Sequence, residues 1–245
     1  MAKNIDSTNL DRLVDDLRAA HGKNLASVVL YGSAAAGDQV QRKTDHNLLI
    51  ALDRITTEDL HAAEAAIKEW QKLGQSVPVY FTVAELQDAA DVFPIEFLQM
   101  EKARKILFGR DPFEFVQISQ ANLRHQTEYE LRTALIRLRR LYIPASASAE
   151  KLANLMSDSL ASFAALFRAV LILKSEDPPV SKQESVHATV RLLSLDATPF
   201  ERILRLHTRD AQVMSDVEAN SLFASYLAEI EKVIEAVDRI EERGN

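Results

Sequence analysis

The chain contains no cysteine, which excludes disulfides, thiolate metal sites and cysteine nucleophiles and fits a reducing compartment. Glycine is scarce: five of the six lie at or before Gly109, and the sixth is Gly244. Turn chemistry is therefore concentrated in the first half, and the second half is expected to be nearly all helix. Positive charge is also short, with a net charge of −7 and a pI near 5.4. General nucleic-acid binding, which usually goes with a basic surface, is therefore not expected, whereas a nucleotide needs only a local positive pocket. The longest apolar run, Leu160 to Leu173, is too short to span a bilayer and carries Ser162 and Arg168. The opening MAKNIDSTNLDRL has no apolar signal core, so a cytoplasmic location without membrane attachment is expected.

At 245 residues and 47% hydrophobic, the chain can build one large domain or two modest ones with a buried core. Helical spacing covers Leu10–Ala20, strands are expected at Ala26–Tyr31, Asn47–Leu52 and Val77–Thr82, and a helix at Thr57–Leu73 with Leu60, Ala63, Ile67 and Trp70 on one face. Thr82 and Glu85 have capping-box spacing, and Pro78 suits a strand beginning or an edge. Lys105–Gly109 reads as a short extended piece ending in the turn at Asp111-Pro112, where the domain boundary is placed. Beyond it, helices are expected over Ile118–Tyr142, Glu150–Lys174, Lys182–Leu195, Phe200–Asp216 and Ala219–Glu242, with starts at Ser181 and Thr198. The last helix has a continuous apolar stripe from Leu222 to Ile240, and the short connections imply an antiparallel bundle. The fold class is α+β: a small mixed-sheet domain over residues 1–111, then an all-α helical bundle over 112–245.

The chemistry concentrates between Val28 and Leu52, VVLYGSAAAGDQVQRKTDHNLLIAL. This reads as strand, Gly32-Ser33 turn, short helix over Ala34–Ala36, polar loop, and a second strand opening on Asp45-His46-Asn47. Gly32 permits close approach of backbone to a phosphate, and Ser33 supplies a cap and a hydroxyl. Residues 45 and 47 share a strand face, while His46 points to the other. The segment resembles the DNA polymerase β-like nucleotidyltransferase superfamily, including aminoglycoside-type nucleotidyltransferases and other small bacterial nucleotidyltransferase-domain proteins. Their pattern is Gly-Ser, a spacer, then acid-x-acid at a strand start.

By that resemblance Gly32 and Ser33 bind the nucleotide triphosphate, Asp45 is the first ligand of Mg²⁺ and Asn47 stands at the second. The helical domain then binds an acceptor, closes over the cleft or builds a homodimer face. Two acids of the pattern are missing. Asn47 is neutral, and the strand Ser76–Thr82, expected to carry the third acid, has none. A carboxylate and a divalent ion about 4 Å apart attract by roughly 8 kcal/mol at an effective dielectric of 20. Losing about 3 kcal/mol of that already costs more than a hundredfold in rate. The resemblance therefore implies a nucleotidyltransferase-like protein with impaired or absent catalysis that binds a nucleotide, a small molecule or a protein partner. No residue is assigned a catalytic role. The alternative is an active Mg²⁺-dependent enzyme moving a nucleoside monophosphate to a small molecule, with an acid borrowed from the helical domain or a second subunit.

Other signals weigh less. Arg124, Arg132, Arg137, Arg139 and Arg140 form either a solvated helix face with Glu128–Arg132 pairing or a phosphate clamp. Arg202 and His207 have the Arg-x4-His spacing of HEPN-type RNases, which offers an RNase or toxin–antitoxin component as a third reading, although Ile203 replaces the usual polar neighbour. No histidine pair has zinc-helix spacing, and no Gly-x-Ser-x-Gly or phosphate-binding Gly-x-x-x-x-Gly-Lys segment occurs.

Overall fold

The apolar runs in the first half pair into one four-stranded sheet. In the computed structural model, which describes residues 7–32, 34–35, 46–179, 181–206 and 214–240, β1 spans Leu25–Tyr31, β2 Asn47–Leu52, β3 Val79–Thr82 and β4 Arg104–Gly109. The order is β3-β2-β1-β4; β1 is antiparallel to both β2 and β4, and β2 is parallel to β3. Pro78 stands just before β3, an edge strand, where its missing N–H breaks no ladder. The sheet is mixed because β1 and β2 join through a return connection, whereas β2 and β3 are joined by a helical crossover.

Both sheet faces are covered, so β1 and β2 read as nearly unbroken apolar runs rather than alternating ones. On one face Val28, Leu30, Leu48, Ile50 and Leu52 pack with Leu13 and Leu17 of α1 (Ser7–His21) and with Trp70 of α3 (Glu64–Lys72). On the other, Val29, Leu49 and Ala51 pack with Leu86 of α4 (Val83–Asp88) and with Phe97 and Met100 of α5 (Pro94–Lys102). Each fully buried Leu or Ile here contributes roughly 1.5–3 kcal/mol.

The expected single helix over 57–73 is two. The first is α2, Thr57–Ala62, opened by a capping box between Thr56 and Asp59. At Ala63 the backbone N–H bonds back to Leu60 O, three residues away, which tightens the turn and shifts the helical phase before α3. Leu60 is consequently 44% exposed, while Ala63 and Trp70 are buried. The capping box of Thr82 and Glu85 forms as the spacing requires: Glu85 accepts from the Thr82 N–H at 2.7 Å, and Thr82 Oγ1 accepts from the Glu85 N–H at 3.0 Å.

The chain divides into two compact units, Met1–Ile118 and Ser119–Asn245. The division falls after the Asp111-Pro112 turn because Phe113, Val116 and Ile118 pack against the core of the first unit.

The second unit comprises α6 (Gln120–Ala145), α7 (Ala149–Leu173), α8 (Lys182–Leu192), α9 (Ala197–Arg205) and α10 (Asp216–Asp238). Ser119, Ser148, Ser181, Asp196 and Ser215 cap them. Several boundaries differ from expectation, two of them because of capping. Asp196 rather than Thr198 caps α9, accepting from the Thr198 N–H at 2.9 Å. That helix ends at Arg205, and Met214 and Ser215 are not helical, because Ser215 starts α10 in a capping box with Glu218. Among the described residues α7 alone is long and apolar enough to cross a membrane; its Leu152, Met156, Leu160, Phe163 and Phe167 are buried in the bundle. In α10 the stripe Leu222, Phe223, Tyr226, Ile230, Val233, Ile234 and Val237 is buried as the spacing implies. Glu229, buried among them, accepts from the Asp196 N–H at 3.1 Å and from Lys232 at 2.7 Å, which ties the start of α9 to α10.

Candidate functional site

The turn that ends β1 is held from two sides. Gly32 has φ +81°, a conformation that glycine adopts without steric cost. Its N–H donates to Ala103 O at 2.9 Å, fixing the turn to the residue that precedes β4. Its carbonyl accepts from the Ala35 N–H at 3.0 Å, closing a tight turn. Ser33 and Asp45, the candidate phosphate-binding hydroxyl and metal-binding acid, lie outside the described residues, as do Ala36 and Asp38.

Asn47 opens β2 directly opposite Tyr31. Its side-chain nitrogen stands 3.4 Å from where a Cβ on Gly32 would be, so the amide lies against the turn. Arg104 opens β4 on the other side of Tyr31. Directly paired residues of an antiparallel ladder share a face, so Asn47, Tyr31 and Arg104 form one row across the sheet beside the turn. Tyr31 is half-buried, and burial pushes its phenol pKa up.

The Arg104 guanidinium is held twice by Asp111 Oδ2, from Nε at 3.0 Å and Nη2 at 2.6 Å, and donates to Glu101 O. It also lies over the Phe113 ring, 5.6 Å from the centroid. Asp111 in turn accepts from the Phe113 N–H at 3.0 Å. The turn after β4 is thus built around this pair, a role for Arg104 with no signal in the local sequence.

His46 faces away from the row, as strand alternation requires. Its ring meets Trp70 edge-on at 6.3 Å, and its N–H donates to Oε1 of the buried Gln75 at 2.8 Å. Trp70 Nε1 donates to Ser76 O at 3.1 Å. These bonds fix the segment from which β2 starts.

Neither strand flanking the β1–β2 pair supplies an acid: β3 is Val-Tyr-Phe-Thr and β4 is Arg-Lys-Ile-Leu-Phe-Gly. Glu85, the acid nearest β3 in sequence, is committed to capping α4. Among the described residues no cluster of three His, Asp or Glu side chains could hold a metal ion. The described donors beside the turn are a neutral amide and a phenol, with a guanidinium third in the row. Hard divalent cations prefer charged oxygens, so this donor set does not fit a pair of Mg²⁺ ions.

In the bundle, most of the arginines noted in the sequence are engaged internally. Arg124 and Arg132 bracket Glu128 at 3.2 and 2.7 Å, Arg132 reaches Asp238 at 3.7 Å, and Arg139 pairs with Glu231 at 2.5 Å. The guanidinium of Arg132 and its hydrogen bond hold the Glu128 carboxyl below the usual carboxylate range. Arg202 donates to Met214 Sδ at 3.6 Å, and His207 lies outside the described residues.

No family model matches the chain, and no curated protein matches its sequence. Among solved structures, it is similar to a spectinomycin adenyltransferase from Enterococcus faecialis determined with ATP and spectinomycin. The TM-score is 0.58 at 13% identity, over 96% of this chain and 100% of that one. At that identity the likeness is one of fold, and it runs the full length of both chains. The protein thus has the fold of a nucleotidyltransferase, a small mixed-sheet α/β unit followed by a helical bundle.

Proposed function

We propose that this protein binds a nucleotide at the Gly32-Ser33 turn and has lost most or all of the metal-dependent nucleotidyl transfer performed by active proteins of this fold. The observation that carries the reading is the neutral Asn47 amide packed against Gly32, in a row completed by Tyr31 and Arg104, with no acid on β3 or β4. Two-metal transfer needs several carboxylates converging on the triphosphate. Asp45 is the one acid of the sequence pattern that remains. A single carboxylate is compatible with Mg²⁺ carried in on the phosphates, because that ion keeps most of its own water and phosphate ligands. Binding therefore survives a loss that catalysis does not.

The test is calorimetric titration with ATP and GTP, with and without Mg²⁺, alongside a labelled-nucleotide transfer assay. The expected outcome is saturable binding with no transfer above background. Robust turnover abolished by Asp45→Ala overturns the reading.

A second reading is favoured by the full-length similarity to an adenyltransferase seen with ATP and a small-molecule acceptor. In it the chain is an active transferase toward a small molecule, and an acid from elsewhere completes the site. Mn²⁺-supported transfer onto an aminocyclitol acceptor distinguishes it from the first.

A further inference from the structure

We propose that the outward face of α6 is the interface of a homodimer, in which the α6 helices of two copies pair antiparallel about a two-fold axis. The bundle buries one side of this helix, through Leu123, Leu131, Leu135 and Leu138, and leaves the other open. Among the described residues of the second unit, four of the six exposed large hydrophobics lie on α6: Tyr129, Ile136, Leu141 and Ile143. Tyr129, Ile136 and Ile143 are spaced by seven, the repeat that keeps one seam facing a partner helix. Ile136 and Ile143 are 65% and 73% exposed, so their own bundle does not cover them.

The charges beside that seam select a second copy. On the flank toward α10, Arg132 and Arg139 are neutralised within the bundle by Glu128, Asp238 and Glu231. On the flank toward α7, Glu130 and Arg137 make no ion pair or side-chain hydrogen bond among the described residues, and Asp158 of α7, across the groove, pairs with neither. Neither Glu130 nor Arg137 has an opposite charge three or four residues away on α6. They lie seven residues apart, too far to meet within one helix.

An antiparallel pair brings them together. It sets residues of the same flank against each other. With the axis passing between Thr133 and Ile136, Glu130 of each copy faces Arg137 of the other, so a single symmetry operation pairs all four charges. The same register sets Tyr129 against Arg140 of the second copy, a cation over an aromatic face; Arg140 too has no ion pair or side-chain hydrogen bond among the described residues. A parallel pair would instead set Arg137 against Arg132 of the other copy.

The available area suffices. Helices α6 and α7 have 26 and 25 residues and run side by side, with Leu155 and Leu166 of α7 lining the groove between them. Two helices of about 38 Å, together roughly 20 Å wide, offer a footprint on the order of 800 Å², which is what each partner of an ordinary stable interface covers. Gln126, Thr133 and Arg140 alternate with the Tyr and Ile positions along the seam. Polar seam residues fix register and weaken association, so the dimer is reversible.

This interface does not rest on the nucleotide reading, and its test uses the full chain without nucleotide. Sedimentation equilibrium from about 1 to about 200 μM is expected to show reversible association of two 27.4-kDa chains. Glu130→Arg and Arg137→Glu should each weaken dimerisation at least tenfold, because each sets like charges together at both symmetry-related places. The circular-dichroism melt of the dilute monomer should stay unchanged, since neither side chain bonds within the bundle. Combining the two exchanges should restore the original dissociation constant to within about threefold. An equimolar mixture of the two single variants should form the heterodimer in preference to either homodimer. A chain that stays monomeric over that range, whether its α6 face stays bare or takes up another protein, overturns the proposal. A dimer indifferent to both single exchanges, or not rescued by the double one, does so as well.

Discussion

The side-chain amide of Asn47 lies 3.4 Å from the position a Cβ would take on Gly32, so the start of β2 and the turn after β1 pack as one unit. Gly32 also holds φ +81° and donates to Ala103. A methyl group at Gly32 meets two obstacles: the left-handed conformation, costing about 1–2 kcal/mol for an L side chain, and the Asn47 amide at the edge of its contact distance. Gly32→Ala is expected to lower unfolding free energy by about that amount in urea titration. If the proposed nucleotide site is correct, the same substitution should weaken ATP binding more than tenfold, because it moves the backbone proposed to approach the phosphates.

Gly109 is constrained more severely. Its φ is +80°, and a Cβ there would stand 1.9 Å from Ala26 O, a backbone atom of β1 that has no room to retreat. Gly109→Ala must therefore distort the pairing of β1 with β4. The expected loss is at least about 3 kcal/mol, combining left-handed strain with a broken ladder. Chemical denaturation reads it directly, and a loss below about 1 kcal/mol would contradict the pairing of Ser27 with Gly109.

Much of this was legible in the sequence, because the signals were local. Strand β2 is bounded by a polar loop and an acid, and the Thr82–Glu85 and Ser181 starts are written in neighbouring residues. What the sequence did not reveal depends on contacts distant along the chain. Lys105–Gly109 reads as extended, but nothing local says that it pairs with β1 and sets Arg104 beside Tyr31, some seventy residues earlier. The break at Ala63 comes from one hydrogen bond to Leu60, which no residue type signals. Buried Glu229 looks like a surface residue until its partners, Asp196 and Lys232, are placed.

The Arg104–Asp111 pair is held by two hydrogen bonds at 3.0 and 2.6 Å, with side chains 21% and 30% exposed. It is more shielded than an open surface pair, whose value is about 0–1 kcal/mol. A double-mutant cycle with Arg104→Met and Asp111→Asn is expected to give a coupling of about 1–2 kcal/mol, discounted for partial solvent screening. Each single variant should cost more than the coupling, because Asp111 also bonds the Phe113 N–H and Arg104 the Glu101 carbonyl. A coupling indistinguishable from zero would show that the turn after β4 is built by packing alone.

His21 ends α1 buried against the edge of Tyr80, at 5.9 Å between ring centroids, with neither ring nitrogen hydrogen-bonded among the described residues. Burial lowers its pKa below 6.5, and Asp59 opposes the shift only in part. The unfolded chain therefore takes up this proton first as pH falls. The contribution of neutral His21 is fully present above about pH 6.5 and is lost as pH drops from there through the lowered folded value. His21→Phe should flatten that part of the stability–pH curve, measured as urea midpoints between pH 7 and pH 5. An unchanged slope would mean that other groups carry the acid sensitivity.

Asn47→Asp tests the charge deficit itself. By the resemblance of the sequence pattern, positions 45 and 47 are the two acids of acid-x-acid, so the substitution would restore the second carboxylate of that pattern. Arg104, third in the row, is already taken up by Asp111 and is not free to neutralise it. Without metal, the added negative charge beside the turn should weaken ATP binding several-fold by repulsion. With Mg²⁺ the sign reverses: a carboxylate in place of an amide should raise affinity at least tenfold, a small part of the roughly 8 kcal/mol that bare attraction supplies at 4 Å. This crossover, read by calorimetry in EDTA and in Mg²⁺, separates a metal-ligand position from a polar strand start, which would show the repulsion in both conditions. Asp45→Ala in the same background should cancel the Mg²⁺ gain, because a lone carboxylate at position 47 gives the ion no more protein charge than Asp45 gives it in the native chain.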